Sequence, residues 1–201
     1  MSLVKYNNNS ISSLTSAGQL ASGSLVPISE QTASGSASIE FTTGIDSTYP
    51  IYQFEFISIH PSNHIEFAMN GSTDGGSNYN VVKTNTTTSA FHGENGSSSA
   101  YYYIDEDLAQ STADAKISGN IYTDNDSSMS GYMLLFNPSS TTFVKHFITD
   151  TQRMDFSSVG YTNRWLTAGY MNTTSSVDAI IFKTITGTFD GTIKLYGIKD
   201  S

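Results

Sequence analysis

The sequence predicts an all-β protein, specifically a jelly-roll-like antiparallel β-sandwich with an extended N-terminal arm, on three observations. Roughly eight to eleven short runs rich in Val, Ile, Thr, Tyr and Phe follow one another along the chain, as expected of consecutive strands. Polar turn residues separate these runs at intervals of roughly 8 to 12 residues, a spacing typical of sandwiches. Neither strand–helix alternation nor a fixed-period repeat is visible, which disfavours α/β folds, propellers and β-helices.

The composition disfavours several classes of protein. Only 13% of the 201 residues are charged and 12% are aromatic, a combination that does not fit intrinsic disorder. The 9 basic residues are scattered singly among 18 acidic ones, for a formal net charge of −9. Binding to nucleic acid or to an anionic membrane surface needs clustered Lys and Arg, so we expect neither partner.

Features that bear on localisation point to a protein made in the cytoplasm. Cysteine is absent, which removes disulfides, thiol chemistry and Cys-based zinc sites. No stretch approaches the roughly 18 consecutive apolar residues of a membrane span. The opening MSLVKYNNNSISS lacks the apolar centre of a secretory signal, so we expect no export by a cleaved leader.

We predict two parts, an extended docking arm at 1–24 and a single β-sandwich domain at 25–201. The arm is rich in Asn, Ser, Gly and Ala, and its isolated apolar side chains support neither a strand nor a firm helix. A floppy terminus is the simpler interpretation, although a partner can order an arm that has no core of its own. The candidate partner-docking residues are Leu3, Val4, Tyr6, Ile11 and Leu14.

The domain is predicted to begin with strands at 25–33 and 36–43, joined at Gly35. Pro27 cannot donate a ladder hydrogen bond, which predicts an edge position for the first strand. The densest β-forming stretch follows at 49–70. Tyr52, Phe54 and Phe56 alternate on one face, the segment 60–63 reads as a turn, and the apolar alternation then resumes. This pattern predicts an antiparallel hairpin that packs against a second sheet.

The rest of the chain is predicted to be mostly strand and loop. One helix is predicted at 108–116, capped by Asp105 or Asp107, and one long loop at 149–163. In the strand at 131–136, Tyr132, Leu134 and Phe136 are expected to point inward. The remaining predicted strands begin at 81–83 or cover 117–122, 143–148, 164–171, 179–185 and 191–199.

Two candidate metal sites are weak. His60 and His64 flank one turn, but a zinc ion needs three or four ligands and no third is suggested nearby. Asp124, Asp126 and Ser128 imitate the start of a calcium loop, yet the glycine and the bidentate glutamate that such a loop requires are missing. Surface turns are the simpler interpretation of both, and we expect no cofactor.

Catalytic patterns are also weak. No complete Gly-x-Ser-x-Gly elbow occurs, and GSSSA at 96–100 is the nearest approach. Glu55 and Glu66, predicted on adjacent strands, could form the carboxylate pair of a glycoside hydrolase, but their outward phase is typical of solvent-facing residues. We therefore expect no enzyme.

Aromatic residues offer a candidate glycan-binding platform, because flat rings can stack on sugar faces. The candidates are Tyr101 and Tyr102, in the run 101–103, together with Trp165. The alternative is that the single tryptophan belongs to the core.

Five segments spread over nearly the whole chain carry a family resemblance. They are SLVKYNNNSISSLTSA (2–17), YPIYQFEFISIHP (49–61), LLFNPSSTTFVKHF (134–147), AGYMNTTSSVDAI (168–180) and GTIKLYGIK (191–199). With these segments the chain resembles a family of small virion structural proteins of marine bacteriophages that infect cyanobacteria and related ocean bacteria. The resemblance implies a non-enzymatic component of the virion, mounted on the capsid or the tail.

On this basis we expect a capsid decoration or accessory protein whose arm binds the major capsid or tail protein of the same virion. Symmetric particles carry such domains in several copies, which favours a homo-oligomer such as a trimer. The alternative is a tail- or fibre-associated module that recognises a host surface glycan.

Overall fold

The structure, a computed structural model, describes residues 25–156 and 160–199, and the side chains of 155 and 156 are not described. Within these residues the fold is two antiparallel β-sheets packed as a sandwich, which confirms the predicted class. A 3-10 helix covers Ile104–Glu106. The strands are β1 (Leu25–Ser36), β2 (Ser38–Phe41), β3 (Ile51–Pro61), β4 (Ile65–Ser72), β5 (Lys83–Gly93), β6 (Ser98–Tyr102), β7 (Ala115–Ile121), β8 (Met129–Phe136), β9 (Lys145–Phe156), β10 (Gly160–Met171), β11 (Ala179–Thr184) and β12 (Phe189–Ile198).

The two sheets differ in size. The large sheet has the order β1-β12-β3-β8-β9-β10-β5-β6, and the small sheet has the order β2-β11-β4-β7. A jelly roll is built from eight strands in two Greek keys, whereas twelve strands here divide eight to four, so the jelly-roll assignment itself is not confirmed. β1 lies at an edge of the large sheet, as Pro27 predicts.

The core lies between the sheets and is centred on the ring of Phe182 in β11. Ring centroids of Phe54 and Phe56, on the opposing β3, lie 5.1 Å from it. Phe41 and Phe67, on the neighbouring strands of the small sheet, lie at 6.2 and 6.4 Å. Because all five side chains are at most 2% exposed, this cluster holds the two sheets together.

The predicted hairpin at 49–70 is wrong, although both of its strands exist. β3 pairs with β12 and β8 in the large sheet, and β4 pairs with β11 and β7 in the small one. The two strands face each other across the core, with the rings of Phe56 and Phe67 5.9 Å apart. The chain crosses between the sheets after Pro61, where the Ser62 amide donates to the carbonyl of Thr188. Apolar alternation specifies a buried face, and that face is satisfied equally well by pairing within a sheet or by packing across it.

The helix predicted at 108–116 is also wrong. The chain here runs extended beside β5: the Asn85 amide donates to the carbonyl of Leu108, and Ser111 pairs with Lys83. β6 covers β5 only from Thr88 onward, so the remaining backbone groups of β5 need other partners. The hydrogen bonds that 108–111 make with the backbone of β5 outweigh the helix propensity of this segment.

Two further predictions fail in the middle of the chain. In β8 the buried residues are Met129, Met133 and Leu135, the opposite phase to that predicted. The run 133–136 is apolar throughout, so only pairing with β3, which places Met133 opposite Phe54, fixes which face is inward. Within the predicted loop at 149–163, residues 149–156 instead belong to β9 and residues 160–163 to β10, and 157–159 lie outside the described residues. Polar residues occupy both faces there and mask the alternation.

The predicted arm at 1–24, with its five candidate docking residues, lies outside the described residues. Across 25–156 and 160–199, no helix has the length and apolar character needed to cross a membrane.

Candidate functional site

The inner face of the large sheet changes character at β9. From β12 to β8 it is apolar, whereas on β9, β10 and β5 it carries buried Thr, Ser and Asn side chains. Two of these polar side chains reach the small sheet: Thr151 Oγ1 donates to the carbonyl of Ile117 at 2.7 Å, and Thr167 Oγ1 donates to that of Lys116 at 3.0 Å. They provide hydrogen bonds to β7, which is an edge strand of the small sheet in the part of the chain that the structure describes. The small-sheet strand β7 therefore lies over β9 and β10 of the large sheet. Strands β5 and β6 of the large sheet extend beyond β7.

An aromatic strip, defined as Tyr161, Phe91, Tyr101, Tyr103 and Trp165, runs along this extension. Successive rings are in contact, with centroid separations of 5.3, 5.9, 6.0 and 4.8 Å in that order. The five residues come from β10, β5, β6 and the turn after β6. The strand register places their side chains on the inner face of the large sheet. For example, the buried Ser89 of β5 is paired with Tyr101 on one side and with Trp165 on the other. Pairing of three strands thus assembles a continuous row of rings.

Exposure differs along the strip: it is lowest at Trp165 and highest at Tyr101, the middle ring. Trp165 is only 3% exposed, and the Arg153 guanidinium carbon lies 5.5 Å from its ring centroid, in a cation–π arrangement. The Trp165 indole N–H is buried and has no hydrogen-bond partner among the described residues. Tyr101, in contrast, is 48% exposed. The strip therefore offers an accessible ring at its middle and a buried, unsatisfied donor at its Trp165 end.

A cavity of about 250 Å³ adjoins the Trp165 end of the strip. It opens where Gly119 of β7 approaches the large sheet: a Cβ on this glycine would lie 2.7 Å from Arg153 Nη1 and 2.8 Å from Trp165 Cζ3. The absence of a side chain at 119 therefore keeps the space beside the indole ring open. The lining combines rings, carboxylates, an amide and a guanidinium, namely His64, Glu66, Tyr103, Glu106, Asn120, Tyr122, Arg153 and Trp165.

Both carboxylates of the cavity are held by one ammonium group. Lys116 Nζ lies 2.9 Å from Glu66 Oε1 and 2.6 Å from Glu106 Oε2. Burial acts to raise the pKa of Glu66, but the hydrogen bond and charge of Lys116 outweigh it and the pKa is lowered. Burial likewise acts to lower the pKa of Lys116, but the hydrogen bonds and negative charges of the two carboxylates outweigh burial, and the pKa is raised. An ionised, lysine-bound Glu66 accepts hydrogen bonds and does not donate a proton, so the arrangement favours binding over acid catalysis.

We expect Lys116→Met to lower the free energy of unfolding at pH 7 by about 1 kcal/mol, because two partly buried carboxylates lose their partner. Because folding lowers the pKa of Glu66, its ionisation stabilises the native state at pH values above 4.5, the ordinary pKa of a glutamate. This stabilisation is lost as the pH falls through the lowered pKa. The variant should therefore lose less stability than the wild type between pH 6 and 3, as measured by urea unfolding. Lys194→Met, which removes a more exposed pair with Glu30, is the control. An identical pH dependence in all three proteins would contradict the expectation.

The predicted glycan-binding residues divide between the two faces of the large sheet. Tyr101 and Trp165 belong to the aromatic strip, linked through Tyr103. Tyr102 lies on the opposite face, where its hydroxyl donates to Asp107 and its ring borders a shallow groove of about 320 Å³. The groove also includes Arg164, which forms a two-point ion pair with Asp150.

The predicted catalytic pair is not assembled. Glu55 lies on β3 of the large sheet, opposite Lys194 and Tyr132, whereas Glu66 lies on β4 of the small sheet. The error follows directly from the predicted hairpin, which would have placed both on neighbouring strands.

The histidines of the predicted turn have separate roles. His60 belongs to β3 and its Nδ1 lies 2.6 Å from the carbonyl of Ser127, while the ring of His64 packs on Tyr122 with centroids 3.9 Å apart. The segment containing Asp124 forms a turn closed by the Ser127 amide. In the described part of the chain, no group of three or more His, Asp or Glu side chains is arranged to hold a metal ion.

Sequence reasoning missed Phe91, Tyr161, Arg153 and Glu106. Phe91 is the lone aromatic residue of a Thr-rich segment, and Tyr161 and Arg153 fall in the segment predicted as a loop. The one available signal is the period-two spacing of Tyr101 and Tyr103, which marks them, and not Tyr102, as residues that can share a face.

Comparisons with protein-family models, with curated proteins and with solved structures found no match to this chain.

Proposed function

We propose that this protein is a structural component of a bacteriophage virion, a capsid decoration or accessory protein held on the particle by its N-terminal arm. The supporting observation is the distribution of the segments that resemble marine phage virion proteins. Beyond the arm, these segments include all or part of β12, β3, β8, β9 and β10, which are five consecutive strands of the large sheet, together with the start of β11. The segments of resemblance thus fall mainly on the large sheet.

The body is suited to this role without disulfides. Phe182 and its four ring partners form a buried core between sheets that each contain at least four strands. The arm then provides the contact with the major capsid or tail protein, and several copies assemble as a homo-oligomer such as a trimer on the particle.

Deletion of residues 1–20 tests the arm. We expect the truncated protein to keep the melting temperature of the full chain but to be absent from purified particles, because the apolar contacts of Leu3, Val4, Tyr6, Ile11 and Leu14 are lost. Incorporation is measured by quantitative mass spectrometry of virions that carry either version. Undiminished incorporation of the folded, truncated protein would refute the docking role.

The aromatic strip favours a second function, recognition of a host surface glycan. Its rings offer flat apolar faces of the kind on which sugar rings stack, and the adjoining cavity is lined by the carboxylates of Glu66 and Glu106 and by Asn120 and Arg153, which are polar groups suited to sugar hydroxyls. β5, β6 and the turn that follows carry three of the five strip residues, and these lie outside the segments of resemblance.

A glycan array probed with the full-length protein tests this second function. We expect reproducible binding to a limited set of saccharides, and a blank array at protein concentrations up to the millimolar range would favour a purely architectural role.

A further inference from the structure

A buried lysine lies against a buried asparagine where the two sheets approach each other. Lys83 is the first residue of β5 in the large sheet, and Asn70 lies near the end of β4 in the small sheet; they are 0% and 1% exposed. The Lys83 amine Nζ lies 2.6 Å from Asn70 Oδ1 and 2.7 Å from the carbonyl of Val81. Complete burial of a lysine is rare because of the cost of removing its charge from water, so this contact calls for an explanation.

The amide of Asn70 is held in one orientation. Its Oδ1 also accepts from the Gly71 amide at 2.9 Å, and its Nδ2 donates to Asp114 Oδ1 at 2.9 Å and to the carbonyl of Thr112 at 3.0 Å. Donors therefore surround the oxygen and acceptors surround the nitrogen. Asp114 is in turn fixed by Lys183, with Oδ2 and Nζ 2.7 Å apart.

These contacts place a nucleophile against an electrophilic carbon. Because Oδ1 is bonded to Cγ at about 1.2 Å, Nζ lies within about 3.8 Å of Cγ, close to the separation of reacting atoms in productive complexes. Burial lowers the pKa of Lys83 to about 8, with the negative charge of Asp114 acting in the opposite direction, so a usable fraction of the amine is neutral near pH 7.

We propose that Lys83 and Asn70 form an intramolecular isopeptide bond, with Asp114 as the residue that transfers the proton. The neutral Nζ attacks Cγ of Asn70, the Cγ–Nζ bond forms, and the Cγ–Nδ2 bond breaks. Asp114, which already contacts Nδ2, carries a proton from Nζ to the departing nitrogen, which leaves as ammonia. No oxidant or cofactor is needed, because one amide replaces another.

The bond would join the two sheets covalently across the loop at 73–82. A chain without cysteine thereby gains the kind of cross-link that disulfides give other exposed proteins, by chemistry that does not depend on a redox environment. The proposal does not depend on the virion or glycan function, since it concerns Lys83, Asn70 and Asp114 alone.

Mass spectrometry of the full-length protein tests the proposal. We expect an intact mass about 17 Da below that of the sequence, which corresponds to the loss of one ammonia molecule. An endoproteinase that cleaves before aspartate separates Asn70 from Lys83 at Asp74, so the peptides 46–73 and 74–104 should remain joined. This second measurement excludes deamidation or ammonia loss elsewhere.

Variants identify the participants. Lys83→Met and Asp114→Ala should each restore the unmodified mass, and circular dichroism verifies that they fold. Asn70→Asp should still cross-link, now by loss of water, with a deficit of about 18 Da. Lys145→Met is the matched control. Lys145 is also 0% exposed, but among the described residues its amine donates to backbone carbonyls, those of Ser140, Phe143 and Thr173, so its replacement should leave the deficit unchanged.

The proposal is overturned if the folded wild-type protein, after days at pH 8, keeps the full sequence mass and yields the two peptides separately. In that case the contact between Lys83 and Asn70 is a hydrogen bond only. A deficit that persists in Lys83→Met would also overturn it, because the lost ammonia would then come from another group.

Discussion

Replacing Phe182 with alanine is expected to lower the free energy of unfolding by about 3–5 kcal/mol, the range for removing a buried phenylalanine. The ring is fully buried and contacts four other phenylalanines, two on the opposing β3 and two on β2 and β4. Its loss opens a void between the sheets at the point where they are held together. Urea unfolding followed by the fluorescence of Trp165 measures the change.

Phe143→Ala is the matched control for this prediction. Phe143 is 67% exposed, so the same substitution should change the free energy of unfolding by no more than about 0.5 kcal/mol. If Phe182→Ala does not fold, Phe182→Leu keeps most of the volume and should cost less than about 1.5 kcal/mol. Equal effects at positions 182 and 143 would show that the ring cluster is not the centre of stability.

Replacing Tyr103 with alanine is expected to weaken glycan binding at least tenfold, a loss of about 1.4 kcal/mol of binding free energy. Tyr103 is the link of the aromatic strip, because its ring contacts both Tyr101 and Trp165, and it also lines the cavity. Its backbone amide, which donates to the carbonyl of Thr87, is unaffected by the substitution. Calorimetric titration with the saccharide selected on the array gives the change in affinity.

Tyr102→Ala is the control that tests which face of the large sheet binds the glycan. Tyr102 precedes Tyr103 in the chain and is 58% exposed, but it lies on the opposite face beside Arg164. Its replacement should change the affinity less than twofold. The reverse outcome, a large loss with Tyr102→Ala and none with Tyr103→Ala, would move the binding site to the outer groove and refute the role of the strip.

Part of the candidate site follows from the sequence. The aromatic run at 101–103 and the single tryptophan direct attention to Tyr101, Tyr102 and Trp165, and two of these three residues share the strip. Phe91 and Tyr161 complete it only because β5 pairs with both β6 and β10. Neither has a Phe, Tyr or Trp as its neighbour in the sequence, so nothing local marks them as parts of an aromatic surface.

What the sequence by itself determined is the fold class and the buried faces of its clearest strands. The alternation of Tyr52, Phe54 and Phe56 in β3 appears in the structure as predicted, and Ile193 and Leu195 in the predicted last strand are likewise buried. Period-two alternation is a property of one strand, and burial of one face follows from it directly.

Only the tertiary structure decided which strands pair and which side chains meet. β3 and β4 pack across the core instead of pairing with each other, and the pairing of β8 with β3 decides which residues of β8 point inward. Lys83 meets Asn70 where β5 of the large sheet approaches β4 of the small sheet. Each of these outcomes depends on complementarity between residues that are distant in the chain, and an alternating strand carries no mark of its partner.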